Sequence, residues 1–285
     1  IAGSFVVLAL VITLSYYRAP IMWVNFSYVI GGFITFFINL FLLSKFIDLK
    51  QSLEIDWGLI KVLGVQSLPL GIMFIFSQIN FKADSILLSI LPLPQYLKLT
   101  GTETVAVYNL PYKIFEVVLV IPTFMMNAIY PIFVRHLEEN VAKFKTTLSK
   151  TLITLFVLGL IGSVFGYIFA PLIINLLGGA DFQQSILVLR LLLVGLPIFY
   201  LSQPVSWLLV TLEKQNILPL IYFISAIFNF SLNLIYIPKY SFYASSMLTW
   251  VSEALILLLL SYFAIKALKD RFNSYEEANM EDISK

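Results

Sequence analysis

FKADSILLSILPLPQYLKLTGTETVAVYNLPYKIFEVVLVIP, residues 81–122, is the stretch that decides how this chain folds. Most of it is apolar, yet it carries the ionisable side chains of Lys82, Asp84, Lys113 and Glu116. A charge near the middle of a bilayer costs several kcal/mol, so such groups are retained where they face a partner or a water-filled cavity. We therefore expect two neighbouring membrane spans with a functional site between them.

The composition of the whole chain is that of a polytopic membrane protein. Of its 285 residues, 60% are hydrophobic and 12% are charged, whereas about a quarter of the residues of soluble proteins are charged. Apolar runs of about 20 residues, the length that crosses a bilayer as a helix, recur along the chain. The predicted fold class is therefore an all-α helical bundle in a membrane. Eight spans are predicted, at about 1–17, 22–44, 57–91, 104–134, 149–177, 184–212, 217–237 and 242–267.

Several kinds of chemistry are excluded by composition. The chain has no cysteine, which removes disulfides, thiolate catalysis and cysteine-ligated metals. Its single histidine, His136, supplies neither a catalytic triad nor a histidine cluster for a metal. We expect no catalytic residue, no metal site and no cofactor, and the chain is not predicted to be an enzyme.

The segments outside the spans suggest how the chain is organised. Residues 44–56, SKFIDLKQSLEID, are polar and are predicted to connect two lobes. The tail from Lys269 is polar and acidic and is expected to fray. The first apolar run begins at Ile1 without a methionine or a basic leader, so we expect further sequence upstream. In the fourth span, Pro111, Pro122 and Pro131 favour a bent helix.

The loops carry their basic residues mostly on one side of the predicted membrane. The positive-inside rule makes that side cytoplasmic, which places the carboxy terminus there. Eleven lysines and arginines lie on it, namely Lys45, Lys50, Lys61, Arg135, Lys143, Lys145, Lys150, Lys214, Lys266, Lys269 and Arg271, against Arg18, Lys98 and Lys239 on the other.

The ionisable residues of the third and fourth spans predict a cluster. Lys113 and Glu116 are three residues apart and share one helical face. At about 1.5 Å per residue, Glu116 lies near the midplane, and Asp84 lies in the outer half of the third span. Lys82 is expected to point away from Asp84. The predicted cluster is Asp84, Lys113 and Glu116, with Lys82 and Arg190 nearer the outer mouth; the alternative is a fixed ion pair that only holds two spans together.

Later spans add further polar candidates. Arg190 lies about two turns into the sixth span and suits an anion, because the guanidinium group matches phosphate geometry; snorkelling to the interface is its alternative. Glu253 lies near mid-depth in the eighth span, where it suits proton coupling or a neutral hydrogen bond between helices. Asn229 and Asn233 share one face and are expected to hydrogen-bond across helices, chiefly as packing residues.

Four stretches resemble the polysaccharide flippases of the multidrug/oligosaccharidyl-lipid/polysaccharide (MOP) exporter superfamily, the Wzx type. Departures from that pattern occur at Ala106, Ser241 and Ala244, where glycine is typical, and at Pro111, where alanine is typical. The four stretches are FKADSILLS (Phe81–Ser89), VAVYNLPYKIFEVVLVIPTFMMNAIYPIFVR (Val105–Arg135), APLIINLLGGADFQQSILVLRLL (Ala170–Leu192) and NFSLNLIYIPKYSFYASSMLTWVSEAL (Asn229–Leu255).

The resemblance implies a MATE-like bundle of two lobes around a central cavity. By this alignment, residues 1–46 are the last two helices of the first lobe and 47–56 a cytoplasmic linker between the lobes. Residues 57–268 form a complete six-helix second lobe, and 269–285 a cytoplasmic tail. A binding site near the midplane at the lobe interface fits this arrangement.

The resemblance also implies alternating access that moves a polyprenyl-pyrophosphate-linked oligosaccharide across the bacterial or archaeal cytoplasmic membrane. Besides this lipid-linked substrate, the implied partners are membrane lipids and polysaccharide polymerase or assembly proteins, and no nucleic acid. The implied substrate-binding residues are Lys82, Lys113 and Arg190, and the implied residues for coupling to a proton or Na⁺ are Asp84, Glu116 and Glu253.

Three other functions stay open at this point. A multidrug exporter that exchanges an organic cation for a proton or Na⁺, and a lipid II flippase, belong to the same superfamily. A membrane glycosyltransferase or ligase needs acids or histidines in sizeable outer loops. The longest outer connection, about 92–103, offers only Glu103, which disfavours catalysis.

Overall fold

The computed structural model describes residues 2–46 and 56–283, and this part of the chain is built from helices without a β-strand. It divides into two compact units, Ile1–Leu63 and Gly64–Lys285. The all-α membrane fold predicted from composition and hydropathy is confirmed.

A pair of helices, α1 (Ala2–Tyr16) and α2 (Ile21–Leu43), packs together in the first unit. Gly31 of α2 is buried, and a Cβ atom built there would lie 2.2 Å from Cγ2 of Val7 and 3.0 Å from the carbonyl oxygen of Gly3. Close approach of backbones through small residues is typical of helix pairs in membranes. The packing of this hairpin therefore depends on glycine at position 31.

The remaining helices form the second unit, except that the first helix of the series begins before the boundary. Short 3-10 turns follow three of the helices. In chain order, the helices are α3 (Trp57–Ile90), α4 (Gly101–Val118), α5 (Val120–Glu139), α6 (Val141–Gly178), α7 (Gln183–Val194), α8 (Leu196–Thr211), α9 (Leu218–Tyr240) and α10 (Phe242–Ile283).

Most of these segments have the length and composition of membrane spans. Within the described residues six qualify, with α4 and α5 counted as one, and the bent pair α7–α8 makes a seventh. α1 is a shorter apolar helix. Each of the eight predicted spans coincides in sequence with one of these helices or pairs.

Two predicted spans are interrupted. Leu119 separates α4 from α5, between the prolines that favoured a bend there. The span predicted at 184–212 is bent by 41° at Gly195. Pro197 follows two residues later, near the start of α8, where its missing N–H leaves no helical bond unmade.

The close packing of the second unit is clearest between α6 and α8. A Cβ atom built at Gly159 of α6 would lie 2.8 Å from Cα of Pro197 in α8. Large aromatic side chains such as Tyr108, Phe115 and Tyr200 are fully buried nearby in the same core. α3 turns Asp84, with its neighbours Ala83, Leu87 and Leu88, toward this unit.

The sequence predicts a linker at 47–56 and a frayed tail from Lys269. The linker predicted at 47–56 lies outside the described residues except for Asp56, which caps α3 by accepting from the backbone N–H of Leu59 at 3.0 Å. The tail from Lys269 was expected to fray, but α10 continues to Ile283. Glutamate, alanine and methionine in this stretch have high helix propensity, which explains the longer helix.

One residue stands in a backbone conformation that favours glycine. Ser241 joins α9 to α10 with φ of 51° and ψ of −137°. Its side chain is fully buried, and within the described residues its hydroxyl has no hydrogen-bond partner. Glycine is the residue that the resembling family typically has here. It adopts this backbone conformation without strain and has no hydroxyl group to leave unpaired.

We expect Ser241→Gly to raise the free energy of unfolding by about 1–3 kcal/mol, because it removes backbone strain and an unpaired buried hydroxyl. Thermal unfolding of the purified protein in one detergent measures this change. Ser231→Gly, at an exposed position within α9, is the matched control and should lower stability by roughly 1 kcal/mol. A transition of Ser241→Gly at or below that of the unmodified protein would contradict the expectation.

Candidate functional site

The carboxylate of Asp84 is the centre of a buried polar network. Asp84 is 1% exposed. Its Oδ2 accepts from the Tyr108 hydroxyl at 2.8 Å and the Thr249 hydroxyl at 3.1 Å, and its Oδ1 accepts from Nδ2 of Asn233 at 2.8 Å. The donors come from α4, α10 and α9, so this single side chain of α3 connects three other helices.

The two asparagines of α9 extend the network. Asn233 Nδ2 also donates to Asn229, four residues earlier, and Asn233 Oδ1 accepts from Ser245 at 3.0 Å. Asn229 Nδ2 donates to the Ser252 hydroxyl at 3.1 Å. The prediction that Asn229 and Asn233 bond across helices is thus confirmed in geometry, and Asn233 also reaches Asp84.

Glu253 is a second buried carboxylate of the same region. It is 8% exposed and accepts a hydrogen bond from the Ser202 hydroxyl of α8, a partner that its own helix did not reveal. In the described part of the chain, the hydrogen bonds to Asp84 and Glu253 come from neutral groups. Thr249 and Glu253 are four residues apart, so they lie on one face of α10.

A small cavity lies beside Glu253. Its volume is about 10 Å³, roughly that of one water. Asn80, Asn229, Thr249 and Glu253 all line it. Oδ1 of Asn80 is buried without a hydrogen-bond partner among the described residues, while its Nδ2 donates to Ser225 at 3.0 Å. Part of the cavity wall therefore presents oxygen atoms that suit a proton carrier or a small hard cation, while Phe81, Phe199 and Ile256 also line it.

The other charged residues of the two central spans form a separate, exposed group, which we call the basic triad: Lys82, Lys113 and Glu116. Lys82 Nζ lies 2.8 Å from one carboxylate oxygen of Glu116, and Lys113 bonds the other. The lysine side chains are 47% and 67% exposed.

The structure thus divides the cluster predicted from sequence. Lys113 and Glu116 pair as their spacing predicted, and Lys82 joins them. Asp84 does not, because it lies two residues from Lys82 and so faces another side of α3. The prediction of one mixed cluster is wrong in this respect: one set of charges is buried and the other is accessible.

Arg190 lies in a third place. Its Nε donates to the carbonyl oxygen of Tyr167 at 3.2 Å, and its guanidinium group lies 4.8 Å from the centre of the Tyr167 ring. These contacts attach α7 to α6 and do not bring Arg190 to the basic triad. Its assignment to substrate stays a prediction.

Sequence reasoning missed the hydroxyl and amide partners of the two buried acids. Tyr108, Thr249 and Ser202 carry no charge, and each is distant in sequence from the carboxylate that it serves. A signal existed for Tyr108, which stands in a stretch that carried the family resemblance. Among the described residues, no group of three or more histidine, aspartate or glutamate side chains gathers as a metal site.

We expect Asp84→Ala to lower the free energy of unfolding by about 1–3 kcal/mol, because the buried Tyr108 hydroxyl loses its acceptor. Asp84→Asn should cost less, since its amide retains an oxygen for Asn233 and the two hydroxyls can turn to accept. Thermal unfolding in detergent compares them, with exposed Asp181→Ala as the control. Equal transitions for the Ala and Asn variants would show that the network contributes little.

Comparison with known protein families adds one finding. The MatE family model matches residues 95–235, nearly half of the chain, from the 3-10 turn before α4 into α9. This range contains Lys113, Glu116 and Arg190 and excludes Asp84 and Glu253. Searches of curated proteins and of solved structures give no significant match. The MatE match supports membership of the MATE-like MOP superfamily and indicates a multi-pass membrane transporter.

Proposed function

We propose that the protein moves an anionic, polyprenyl-pyrophosphate-linked oligosaccharide across the cytoplasmic membrane by ion-coupled alternating access. The basic triad is the observation that carries this proposal. One carboxylate lies between two ammonium groups, which leaves an excess of one positive charge. Because both lysines are substantially exposed, they remain open to a second anion, and an ammonium group binds phosphate as a compact point charge.

The same geometry disfavours an organic cation, the main alternative within the superfamily. Such a substrate pairs best with an accessible carboxylate that has no other partner. Glu116 already has two lysine partners. Asp84 and Glu253 are 1% and 8% exposed, too buried to meet a bulky solute in this conformation.

We propose that the buried acids provide ion coupling. Two carboxylates bonded only to neutral donors are costly in a membrane interior unless a proton or a cation neutralises them. Asp84 joins α3 to α4, α9 and α10, so neutralising it changes the groups that hold α3. Lys82 lies on the same helix two residues away. A movement of α3 caused by ion binding at Asp84 would therefore also move Lys82 in the proposed substrate site.

Other parts of the assignment follow from this substrate. A polysaccharide polymerase or assembly protein is the expected partner on the side where the oligosaccharide emerges. The orientation with the carboxy terminus in the cytoplasm stays a prediction from loop charge. Because Glu116, predicted to couple ions, pairs with both lysines, we assign it to the proposed substrate site, and we leave Arg190 out of that site.

The decisive experiment follows the sugar of a fluorescent polyprenyl-pyrophosphate oligosaccharide in proteoliposomes that contain the full-length protein. We expect the label to become accessible to a membrane-impermeant quencher, and Lys82→Gln/Lys113→Gln to slow this at least about tenfold, since two anion contacts are lost. Lys82→Arg/Lys113→Arg keeps the charge and should retain most of the rate. The control is Lys143→Gln/Lys150→Gln, at exposed positions on α6.

No transfer of the lipid, together with gradient-driven efflux of a cationic dye, would overturn the proposal in favour of a multidrug exporter. Transfer of lipid II but not of other oligosaccharide lipids would restrict the substrate to that lipid.

The coupling residues have a separate test in the same vesicles. With an imposed proton or Na⁺ gradient, we expect Asp84→Asn or Glu253→Gln to abolish the acceleration by the gradient, because the neutral side chain no longer needs the ion. Asp181→Asn serves as an exposed control. Full gradient dependence in both variants would remove these two residues from the coupling mechanism.

A further inference from the structure

A long apolar groove runs along α3 in the second unit, between α5, α8 and α9. Its volume is about 650 Å³, within the range of about 300–1,000 Å³ that ligand pockets occupy. Aromatic rings form much of its wall. They belong to Phe74, Phe81, Trp207 and Tyr222.

The groove is predominantly apolar, although Ser77, Gln78, Thr123, Gln203 and Ser206 also line it. Glu116 lines the groove at the level of Phe81, and Glu116 holds both lysines of the basic triad. Leu70 of α3 marks the other end, where Val210 and Leu218 from the termini of α8 and α9 also line the wall. The groove therefore has the shape of a site for an amphiphile with an anionic head.

Resting on the proposed function, we propose that this groove binds the polyisoprenyl chain of the transported lipid while its pyrophosphate contacts Lys82 and Lys113. An organic cation with an apolar body fits the aromatic wall, but its charge would meet the two ammonium groups. A free oligosaccharide fits the triad but has no use for an apolar groove. Only a lipid-linked anion matches both ends.

The dimensions of the groove set how the chain lies. From Leu70 to Phe81, α3 rises by about 16 Å at 1.5 Å per residue. The Leu70 end lies beside the connection between α8 and α9, which contains Lys214 and is predicted to be cytoplasmic. The head thus lies near the midplane, at the depth predicted for Glu116, and the chain extends toward the cytoplasmic end of α3.

Selectivity in this groove comes from shape. Bilayer hydrocarbon is as apolar as leucine, so moving a chain from lipid to groove gains little hydrophobic free energy. Packing of a methyl-branched chain against aromatic rings supplies the preference over a linear acyl chain. We expect a preference of about tenfold, which corresponds to a small number of improved contacts.

The test uses decaprenyl pyrophosphate probes that carry a diazirine either near the pyrophosphate or about 16 Å along the chain, the length of the groove, added to the full-length protein in nanodiscs. Photo-crosslinks mapped by mass spectrometry should fall near Phe81 for the first probe and near Val210 and Leu218 for the second. A phosphatidylglycerol probe, anionic with linear chains, should give about tenfold fewer crosslinks in the groove.

A matched pair of variants tests the groove itself. Thr123 lines the groove, so Thr123→Trp should reduce groove crosslinking and slow lipid transfer about tenfold. Leu172→Trp, at a position of α6 that is 63% exposed outside the groove, should change neither. Retained folding is checked by size-exclusion chromatography, and the smaller Thr123→Val should keep wild-type crosslinking.

Crosslinks spread over exposed faces such as Leu172, equal labelling by phosphatidylglycerol, or a reversed order of the two probes would overturn the inference. If lipid transfer in the proteoliposome assay persists under any of these results, the proposed function stands and only the groove assignment fails. If lipid transfer itself is absent, the proposed function and the inference fail together.

Discussion

A carboxylate in the interior of a membrane bundle must be surrounded by hydrogen-bond donors, and Asp84 shows how this chain meets that requirement. Three neutral donors from three helices converge on its two oxygens. Two of the donors have further acceptors: the single hydroxyl proton of Thr249 is shared between Asp84 and the Ser245 carbonyl oxygen, and Asn233 also donates to the Asn229 carbonyl oxygen. Most side chains of the network therefore have hydrogen-bond partners. A buried polar network needs this in order to specify one arrangement of the helices.

This requirement also determines how α3 is attached. Besides Asp84, its contacts with the unit include hydrogen bonds from Asn80 to Ser225 and from Ser85 to Asn109. Hydrogen bonds between helices make helix association specific in lipid, where apolar packing alone gives little preference for one neighbouring helix. The position of a helix that is held by a few hydrogen bonds depends more on the charge of one hydrogen-bonding group than does the position of a helix held by broad apolar packing.

The sequence predicted the parts of this molecule that depend on local properties. Hydropathy located the spans, because a helix in lipid must satisfy its own backbone and so needs a continuous apolar run. Helical spacing predicted the pair of Lys113 with Glu116, since residues three apart share a face. Three prolines around Leu119 favoured the interruption found there.

The partners that surround Asp84 escaped prediction for the opposite reason. Tyr108, Asn233 and Thr249 lie 24, 149 and 165 positions from Asp84. No local pattern relates them, and each is an uncharged residue common in membrane helices. The mistaken joining of Asp84 to Lys113 had the same origin, because depth in the membrane was known but rotation about the helix axis was not. Helix rotation is set by packing against neighbours.

The separation of the two charged sets is what makes a transport mechanism physically coherent. An ion that neutralises a buried acid must be small, which suits the water-sized cavity beside Glu253. A lipid-linked anion is large and must meet charges that remain accessible, as the lysines of the basic triad do. Had Asp84 paired with those lysines, its charge would have been neutralised permanently, and binding of a proton or cation would not have been needed to neutralise it. Because Asp84 lies on the opposite side of α3 from Lys82, the proposed ion site and the proposed substrate site stay separate on one shared helix.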